Sequence, residues 1–306
     1  MPNDKNIFLM NKFKIGYFAD GPWSHKALNK ILLDSNLKVK FICARHAKPC
    51  QILKELAEKN NIDFLTHPRV NSDEFFKIVG DYDCDIFISM SFDQIFKKRI
   101  IELPKFKTIN CHAGKLPFYR GRNVLNWALI NDEKEFGITV HYMDETIDTG
   151  DILNQKVFPI TDEDNYETLL NTAYTGCAEL LYQTIKLIEK GKISRKKQSK
   201  IHPVGFYCTA RQKGDELLNW NQPSRDIFNF VRAICRPGPE ARTFCKQTEI
   251  KINQTELIPE APIFKGTPGA VLGIDSDGFF VKMYDSYIKV VDWSGLSSIK
   301  IGDRFK

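Results

Sequence analysis

The sequence predicts an α/β protein whose mostly parallel β-sheet is covered by helices and followed by a smaller domain of short strands. Two observations indicate this class. In the first part of the 306-residue chain, short apolar runs alternate with amphipathic helical patterns. After Pro237-Gly-Pro239, closely spaced strand-like runs follow one another. Because one core rarely exceeds roughly 250 to 300 residues, we expect a Rossmann-like domain over residues 1–200 and a small β-barrel-like domain over 201–306.

The first part contains five predicted strands with three predicted helices between the early ones. Each strand is a run rich in β-branched and aromatic residues, and each helix has an amphipathic pattern. The predicted strands are Phe13–Phe18, Leu37–Cys43, Ile62–Leu65, Asp85–Ser89 and Thr108–Cys111, and the helices are Ser24–Leu33, Pro49–Lys59 and Ser72–Val79.

The middle of the chain changes character. Gly137–Met143 and Ile152–Phe158 are strand-like runs joined by the acidic loop 144–150, which predicts a hairpin or a long reversal. The segment Asp164–Glu167 is a helix-capping signal, and the apolar periodicity after it predicts a long helix that ends before Gly191.

A linker through Pro203 leads to the second domain. There we expect Ser224 to cap a short helix over Arg225–Cys235. Short strands follow at Arg242–Lys246, Glu249–Ile252, Gly269–Ile274, Phe279–Met283 and Tyr287–Val291.

Composition narrows the class of protein. Hydrophobic residues make up 42% and charged residues 27%, which argues against a disordered or fibrous chain. The net charge of +6 favours an anionic partner without choosing among a nucleotide, a sugar nucleotide and RNA. The basic run 190–197 is interpreted as a solvated linker rather than a binding patch.

The eight cysteines form no CxxC pair and no cluster with histidine at zinc-ligand spacing. They therefore indicate neither a metal site nor a disulfide framework, and a reducing compartment fits them. No secretion signal and no run of about 18 apolar residues is visible. We expect a cytoplasmic protein that does not span a membrane.

Asn110 and His112 stand where the fifth predicted strand runs into a loop containing Gly and Pro. Residues two apart in an extended segment face the same side, and parallel sheets bind ligands beyond the C-terminal ends of their strands. The pattern favours a shared pocket. The alternative, two loop residues that bond to backbone groups, stays open at this point.

Asp148, in the loop 144–150, could supply a carboxylate that orients an imidazole and keeps it protonatable. Its simpler interpretation is a turn residue that bonds to its own backbone. The other histidines, His25, His46, His67, His141 and His202, are expected to be structural or exposed. The glycines of Gly16–Gly21 do not match a dinucleotide-binding fingerprint.

Three ordered motifs resemble the folate-dependent formyltransferases, which include methionyl-tRNA formyltransferase, glycinamide ribonucleotide formyltransferase and the sugar-nucleotide N-formyltransferases. The motifs are Asn110-Cys-His112, Leu116-Pro-Phe-Tyr-Arg-Gly121 and Asp148-Thr-Gly150. The likeness spans most of the chain, because larger members carry a C-terminal barrel-like domain after a linker. It implies the formyltransferase type of sheet.

The resemblance implies that Asn110 and His112 act on the formyl oxygen while Asp148 tunes the histidine, with 10-formyltetrahydrofolate as co-substrate and no metal. Elementary chemistry is compatible with these roles. An amine that attacks a formamide-like carbonyl creates an oxyanion, which an amide and a protonated imidazole can stabilise. A carboxylate beside the imidazole makes proton transfer to or from the reacting nitrogens feasible.

By position, the resemblance also implies folate contacts at Gln94, Ile95 and Phe96, at Arg122, and at the four residues Asp144, Glu145, Thr146 and Ile147. Backbone groups there could bind the amide-like edge of the pterin. Two alternatives are kept, namely core packing for Phe96 and a surface salt bridge for Arg122.

For the acceptor, Asn229-Phe-Val-Arg-Ala233 and Arg236-Pro-Gly-Pro239 resemble the formyltransferase half of the bifunctional enzyme that formylates UDP-4-amino-4-deoxy-arabinose. This favours a UDP- or dTDP-linked amino deoxy sugar and a place in lipopolysaccharide biosynthesis. Glu240 departs from the glycine expected there. The oligomeric state stays open, with a homodimer as one option.

Two other functions are weighed. Formylation of methionyl-tRNA is the alternative, although the tRNA enzymes usually carry a basic insertion after the second strand and a Pro-Trp-Pro near the second domain, and this chain has neither. A non-catalytic RNA-binding protein is the third, since small barrels often bind single strands. Its barrel strands show little aromatic and basic patterning, so a nucleic-acid partner is not favoured.

Overall fold

The computed structural model describes residues 12–296 and 298–306. The chain forms two compact units. The first contains residues up to Arg120 together with 137–156 and 173–206, and the second contains 121–136, 157–172 and 207–306. The boundary expected between residues 200 and 201 stays a prediction. Within the described residues, every helix is too short or too polar to cross a lipid bilayer.

A seven-stranded sheet has the order β3-β2-β1-β4-β5-β7-β8. The four pairings among β1 to β5 are parallel, whereas β5 and β7 pair antiparallel. The predicted mostly parallel α/β sheet is therefore confirmed. The elements from β1 to α6 are β1 Phe13–Ala19, α1 Gly21–Leu32, β2 Leu37–Ala44, α2 Gln51–Lys59, β3 Asp63–Thr66, α3 Asp73–Gly80, β4 Ile86–Met90, α4 Lys98–Ile101, β5 Thr108–His112, β6 Arg120–Gly121, α5 Val124–Ile130, β7 Glu135–Tyr142, β8 Ile152–Pro159 and α6 Tyr166–Glu189.

An aromatic cluster forms the core on one side of the central strands. The Phe18 ring on β1 makes edge contacts with the rings of Phe41, Phe87 and Phe96, at centroid distances of 5.4, 5.3 and 4.8 Å. Gly16 leaves room for these rings, because a Cβ there would lie 2.5 Å from Phe41. The cluster holds β1, β2 and β4 together and thereby sets the edge at which their loops emerge.

The long helix α6 begins as its sequence predicts. Asn165 accepts hydrogen bonds from the backbone N–H groups of Glu167 and Thr168, and the Asn165 N–H donates to the Thr168 hydroxyl. This reciprocal pair satisfies donors that a helix start leaves free. The expected apolar face is buried from Leu169 to Ile188.

The second unit contains a five-stranded sheet in the order β10-β11-β14-β13-β12. Ser224 is not a cap, contrary to the sequence-based expectation. It lies inside α7, its hydroxyl donates to Asp285, and the N-cap position is Pro223. The elements that follow α6 are a short 3-10 helix at Gln198–Lys200, β9 Tyr207–Cys208, α7 Ser224–Ile234, β10 Ala241–Cys245, β11 Thr248–Leu257, β12 Val271–Ile274, β13 Phe279–Lys282 and β14 Tyr287–Ser294.

The last residues of the chain join the two edges of this sheet. Phe305 forms a bridge with Cys245 at the end of β10, and Arg304 forms one with Ala270 just before β12. Backbone bonds from Phe305 to Gly269 and from Lys306 to Phe244 reinforce both edges, at 2.8 and 2.9 Å. The predicted barrel-like domain is a sheet closed by its own C-terminal segment, which leaves little unpaired edge.

We predict that Phe305→Ala lowers the free energy of unfolding by about 3 to 5 kcal/mol, because a buried aromatic side chain leaves a cavity. Phe305 is 3% exposed and lies 5.6 Å from the rings of both Trp220 and Phe279. Urea unfolding measures the change. Ile301→Ala is the matched control, since Ile301 is 68% exposed. Equal destabilisation by the two variants would contradict closure through Phe305.

Candidate active site

Strand β5 places two polar side chains on one face of the sheet. Asn110 and His112 alternate along β5, and the antiparallel register sets them opposite His141 and Thr139 of β7. The intervening Cys111 faces the other side of the sheet, where its thiol lies 3.7 Å from the carbonyl oxygen of Cys177. The period of two predicted for this strand end is therefore present.

The loop after β7 brings Asp148 against these side chains. Its Oδ1 lies 3.5 Å from Asn110 Nδ2 and 3.4 Å from His141 Nε2, and its Oδ2 lies 3.6 Å from His112 Nδ1. The side chains of His112 and Asp148 are each about 10% exposed. The structure thus brings together all three residues assigned to catalysis from the sequence. These distances exceed those of strong hydrogen bonds.

The imidazole of His112 has a defined tautomer. Its Nε2 lies 2.7 Å from the backbone oxygen of Tyr119, which can only accept, so Nε2 must carry a hydrogen. In the neutral ring Nδ1 then has a free lone pair facing the Asp148 carboxylate. A second proton on Nδ1 turns this contact into an ion pair. The arrangement therefore suits His112 to gain and lose a proton at Nδ1.

His141 is a member of this group that the sequence analysis did not single out. It is buried, as expected of a structural histidine, but it contacts two site residues. Its Nδ1 lies 2.8 Å from the backbone oxygen of Tyr142, and its Nε2 lies 3.3 Å from Asn110 Nδ2. With the hydrogen on Nδ1, Nε2 can accept from the Asn110 amide and hold it in place. Only the register of β5 against β7 reveals this, and no sequence motif carries it.

Two glycines permit the close approaches at the site. A Cβ at Gly114 would lie 2.3 Å from the Tyr119 oxygen and 2.4 Å from His112 Nε2. A Cβ at Gly150 would lie 1.8 Å from the Tyr142 oxygen. Asp148 itself has a φ of 56°, in the left-handed region that costs a residue with a side chain. The loop is therefore held in a conformation that the surroundings must stabilise.

On the opposite face of β5, the thiols of Cys111 and Cys177 contribute to packing rather than to a reaction. Cys111 and Cys177 are buried, and all eight cysteines are free. The pKa of Cys177 is raised well above its ordinary value by its hydrogen bond with Cys111 and by burial. The Cys177 thiol therefore stays protonated and behaves as a small hydrophobic group.

The predicted folate-contacting segment after β4 is fixed by its own side chains. Gln94 accepts from the Val70 N–H at 3.0 Å and donates to the His67 oxygen at 2.8 Å. Ile95 is 59% exposed. The Gln94 amide is thus occupied within the protein, and Asn71 donates to the Ile95 oxygen at 2.8 Å, so the exposed Ile95 side chain remains for a ligand.

The second predicted folate-contacting segment folds back on itself in the same way. The carboxylate of Asp144 accepts from the Thr146 N–H at 3.1 Å and from the Thr149 hydroxyl at 2.6 Å. Glu145 accepts from the Lys98 N–H at 3.3 Å, which joins this loop to the start of α4. Ile147 is 48% exposed. The two segments therefore lie side by side, and each presents one exposed isoleucine.

The two remaining predicted contacts stand apart. The side chain of Phe96 is fully buried in the cluster around Phe18, as the core-packing alternative expected. Only the backbone of Phe96 can therefore contact a ligand. Arg122 is exposed and its N–H donates to the Cys208 oxygen at 3.1 Å within the second unit. Its predicted role stays a prediction.

No group of three or more His, Cys, Asp or Glu side chains in the described parts of the chain has a geometry suited to holding a metal ion. The site is an amide, two imidazoles and one carboxylate, a set suited to hydrogen bonding and proton transfer.

Two family models match this chain. One describes a formyl transferase and matches residues 19–185, which include the whole site, and the other describes the formyl transferase C-terminal domain and matches residues 211–295. The chain belongs to the formyl transferase family. It is accordingly an enzyme that transfers a formyl group, as the three motifs imply.

Two similar curated proteins are methionyl-tRNA formyltransferases. The one from Clostridium acetobutylicum is 30% identical over 304 residues, which cover 96% of each chain. The one from Thermodesulfovibrio yellowstonii is 38% identical over 206 residues, which cover 67% of this chain and 66% of the relative.

Two similar solved structures are N-formyltransferases with a folate and a dTDP-containing ligand. WlaRD, a sugar 3N-formyl transferase determined with dTDP and 5-N-formyl-THF, has a TM-score of 0.67 and 23% identity over 94% of this chain and 99% of its own. The N-formyltransferase of Helicobacter canadensis, with folinic acid and dTDP-3-aminofucose, has a TM-score of 0.66 and 22% identity over 92% and 100%. At these identities the likeness shows the shared fold.

We predict that Gly114→Ala reduces the kcat for formyl transfer by roughly a hundredfold, since a displacement of about 1 Å at a reacting group can cost that much. The added Cβ would force His112 away from the Tyr119 oxygen. Steady-state kinetics measures kcat. Gly80→Ala is the matched control, because a Cβ at Gly80 meets nothing within 4 Å. Equal kcat values for the two variants would show that the His112 contact is dispensable.

Proposed function

We propose that this enzyme transfers a formyl group from 10-formyltetrahydrofolate to the amino group of a nucleotide-linked amino deoxy sugar. The convergence of Asn110, His112 and Asp148 carries the chemical part of this proposal. Their contacts provide neutral and charged donors beside a carboxylate, the set that acyl transfer to an amine requires.

Asn110 and His112 are placed to stabilise negative charge. As the acceptor nitrogen bonds to the formyl carbon, charge builds on the formyl oxygen. The Asn110 amide and His112 Nδ1 both lie near Asp148, at 3.5 and 3.6 Å, so these two nitrogen groups are close to each other. In the proposed mechanism the formyl oxygen binds beside the Asp148 carboxylate and accepts from both groups when His112 Nδ1 is protonated.

Asp148 and His112 also account for the two proton transfers of the reaction. The acceptor amine loses a proton as its new C–N bond forms, and the N10 of the folate gains one as the old C–N bond breaks. Asp148 stabilises the imidazolium form of His112, whose Nδ1 can release a proton and recover one. The contact of His112 Nε2 with Tyr119 keeps the ring oriented throughout.

The residues at the two predicted folate-contacting segments fit a flat, partly aromatic ligand. Ile95 and Ile147 are exposed apolar side chains on adjacent segments, which is suited to contact with the faces of a ring system. The side chains of Gln94, Asp144 and Glu145 are engaged in the protein, so polar contacts with the pterin would come from the backbone. The 10-formyltetrahydrofolate supplies the formyl group.

The short connection after β2 supports a sugar nucleotide as the acceptor. β2 ends at Ala44 and α2 begins at Gln51, which leaves only residues 45–50 between them. The tRNA enzymes of the family usually carry a basic insertion between these two elements. The dTDP bound to the sugar 3N-formyl transferase WlaRD and the dTDP-3-aminofucose bound to the Helicobacter canadensis enzyme are consistent with this choice.

Formylation of methionyl-tRNA is the second candidate. It is favoured by the curated relatives, one of which aligns over 96% of the chain. The two candidates differ in one measurable property, because a tRNA acceptor is a polyanion whose binding weakens steeply with salt, whereas a nucleoside diphosphate sugar carries few charges.

We predict that His112→Asn abolishes formyl transfer and leaves the fold intact. Asparagine can keep a neutral donor but cannot carry the proton that an imidazole carries. The assay follows tetrahydrofolate formation from 10-formyltetrahydrofolate, with circular dichroism and thermal unfolding as checks on the fold. His202→Asn is the matched control, because the side chain of His202 is bonded locally to Val204. Retention of wild-type turnover by His112→Asn would refute the assigned mechanism.

The acceptor is tested by offering both classes to the purified enzyme with 10-formyltetrahydrofolate. We expect a mass increase of one formyl group on a UDP- or dTDP-linked amino sugar and none on charged initiator tRNA. Mass spectrometry measures both products. Formylation of the tRNA alone would overturn the sugar assignment and leave the catalytic assignment standing.

A further inference from the structure

The backbone dipeptide Tyr119–Arg120 contacts both halves of the site. The Tyr119 oxygen holds His112 Nε2 at 2.7 Å. The Arg120 guanidinium donates to Oε1 of Gln198 from Nε at 3.1 Å and from Nη2 at 2.6 Å. Gln198 in turn lies against the loop that carries Asp148. One dipeptide is therefore connected to the histidine directly and to the carboxylate through a single side chain.

Gln198 bonds to the backbone on both sides of Thr149. Its Nε2 donates to the Asp148 oxygen at 2.8 Å and to the Gly150 oxygen at 2.9 Å. The residue is only 4% exposed. Arginine can only donate and a carbonyl can only accept, so the orientation of the Gln198 amide is dictated by its partners. All four hydrogen bonds of this side chain therefore have a fixed direction, and the bond to the Gly150 oxygen is buried.

The local fold explains how Gln198 reaches this position. Lys196 forms an antiparallel bridge with Ile152, with backbone bonds of 2.8 Å in both directions, so the chain runs beside the end of the Asp148 loop. The basic run interpreted as a solvated linker thus adds a strand-like contact at one point. Gly205 leaves space for the guanidinium, because a Cβ there would lie 2.7 Å from Arg120 Cζ.

We propose that Gln198, held by Arg120, is a positioning residue that sets the location of the Asp148 carboxylate relative to His112. Asp148 has a left-handed φ of 56°, a conformation that costs free energy for a residue with a side chain. One bond from Gln198 holds the peptide group that follows Asp148, and the other holds the peptide group that follows Gly150. Without them the loop can relax, and the carboxylate moves away from His112 Nδ1.

This inference deepens the proposed function and rests on its assignment of His112 and Asp148. It does not depend on which acceptor is used. Gln198 contacts backbone groups and a second side chain, so it acts through Asp148 rather than on the reacting atoms. Outer-shell partners of this kind typically change activity by about 10- to 100-fold in metal sites, and we expect an effect of that size here.

Two substitutions at Gln198 test the proposal. Gln198→Leu removes all four hydrogen bonds, whereas Gln198→Glu keeps an acceptor for Arg120 but places a carboxylate oxygen against two carbonyl oxygens. We expect both variants to lower kcat for formyl transfer about 10- to 100-fold and to change the KM for 10-formyltetrahydrofolate less than about threefold. Should the leucine variant not fold, the glutamate variant carries the test. Wild-type kcat in the glutamate variant would overturn the proposal.

A second measurement needs no substrate. The imidazole NMR signals of His112 are compared at one pH in the ligand-free enzyme, in the wild type, in both Gln198 variants and in Asp148→Asn. Because the Asp148 carboxylate lies 3.6 Å from Nδ1, its removal or displacement changes the surroundings of the ring, and we expect the His112 chemical shifts of all three variants to differ from those of the wild type. Unchanged His112 signals in the Gln198 variants, with changed signals in Asp148→Asn, would refute the clamp.

Asn253→Ala is the matched control for a purely structural loss. The Asn253 side chain also bridges two groups, the Arg236 N–H and the Asp292 carboxylate, each at 2.8 Å in the second unit. We expect it to lower the thermal unfolding temperature without changing the His112 NMR signals. If the wild type transfers no formyl group while the Gln198 variants still change those signals, the clamp stands and the proposed function fails. If Asn253→Ala changes the signals equally, the clamp fails.

Discussion

The whole site depends on one carboxylate held over an amide and two imidazoles. Asp148 lies within 3.6 Å of polar atoms on Asn110, His112 and His141. Burying a carboxylate costs free energy unless charge or hydrogen bonds compensate it. Part of that compensation comes from the Asn110 amide, and part comes from His112 when its Nδ1 is protonated. The arrangement suits a reaction in which a proton and a negative charge appear together.

The structure around this carboxylate is built mainly from main-chain groups. The Tyr119 oxygen fixes one imidazole, the Tyr142 oxygen fixes the other, and Gly114 permits the first of these approaches. Main-chain partners cannot rotate away as side chains do, so each ring is held in one tautomer. His112 Nδ1 and His141 Nε2 therefore face Asp148. The aromatic cluster beneath the strands contributes indirectly, since it keeps the ends of the central strands in register and hence the loops that carry the site.

The sequence indicated the parts of the fold and site that are local. Asn110 and His112 follow from strand alternation, and the cap of α6 follows from its own residues. His141 could not be found this way, because its place depends on antiparallel pairing between distant strands. Serine is a common helix-capping residue, yet the Ser224 hydroxyl donates to Asp285, which lies 61 positions further along the chain. Tertiary contacts override a local signal in that case.

Identity over the whole chain is a poor guide to the acceptor, for a physical reason. The scaffold, the carboxylate and the donors are needed for formyl transfer to any amine, so selection for that chemistry keeps them similar whichever molecule brings the amine. The acceptor is distinguished where loops meet it, at the C-terminal ends of the strands. In this chain the connection after β2 spans only residues 45–50, and Arg45 there is paired with Asp20 and Asp93. A guanidinium paired with two carboxylates adds little attraction for a polyanion, so the short length of that loop and the pairing of Arg45 support the small acceptor that we propose.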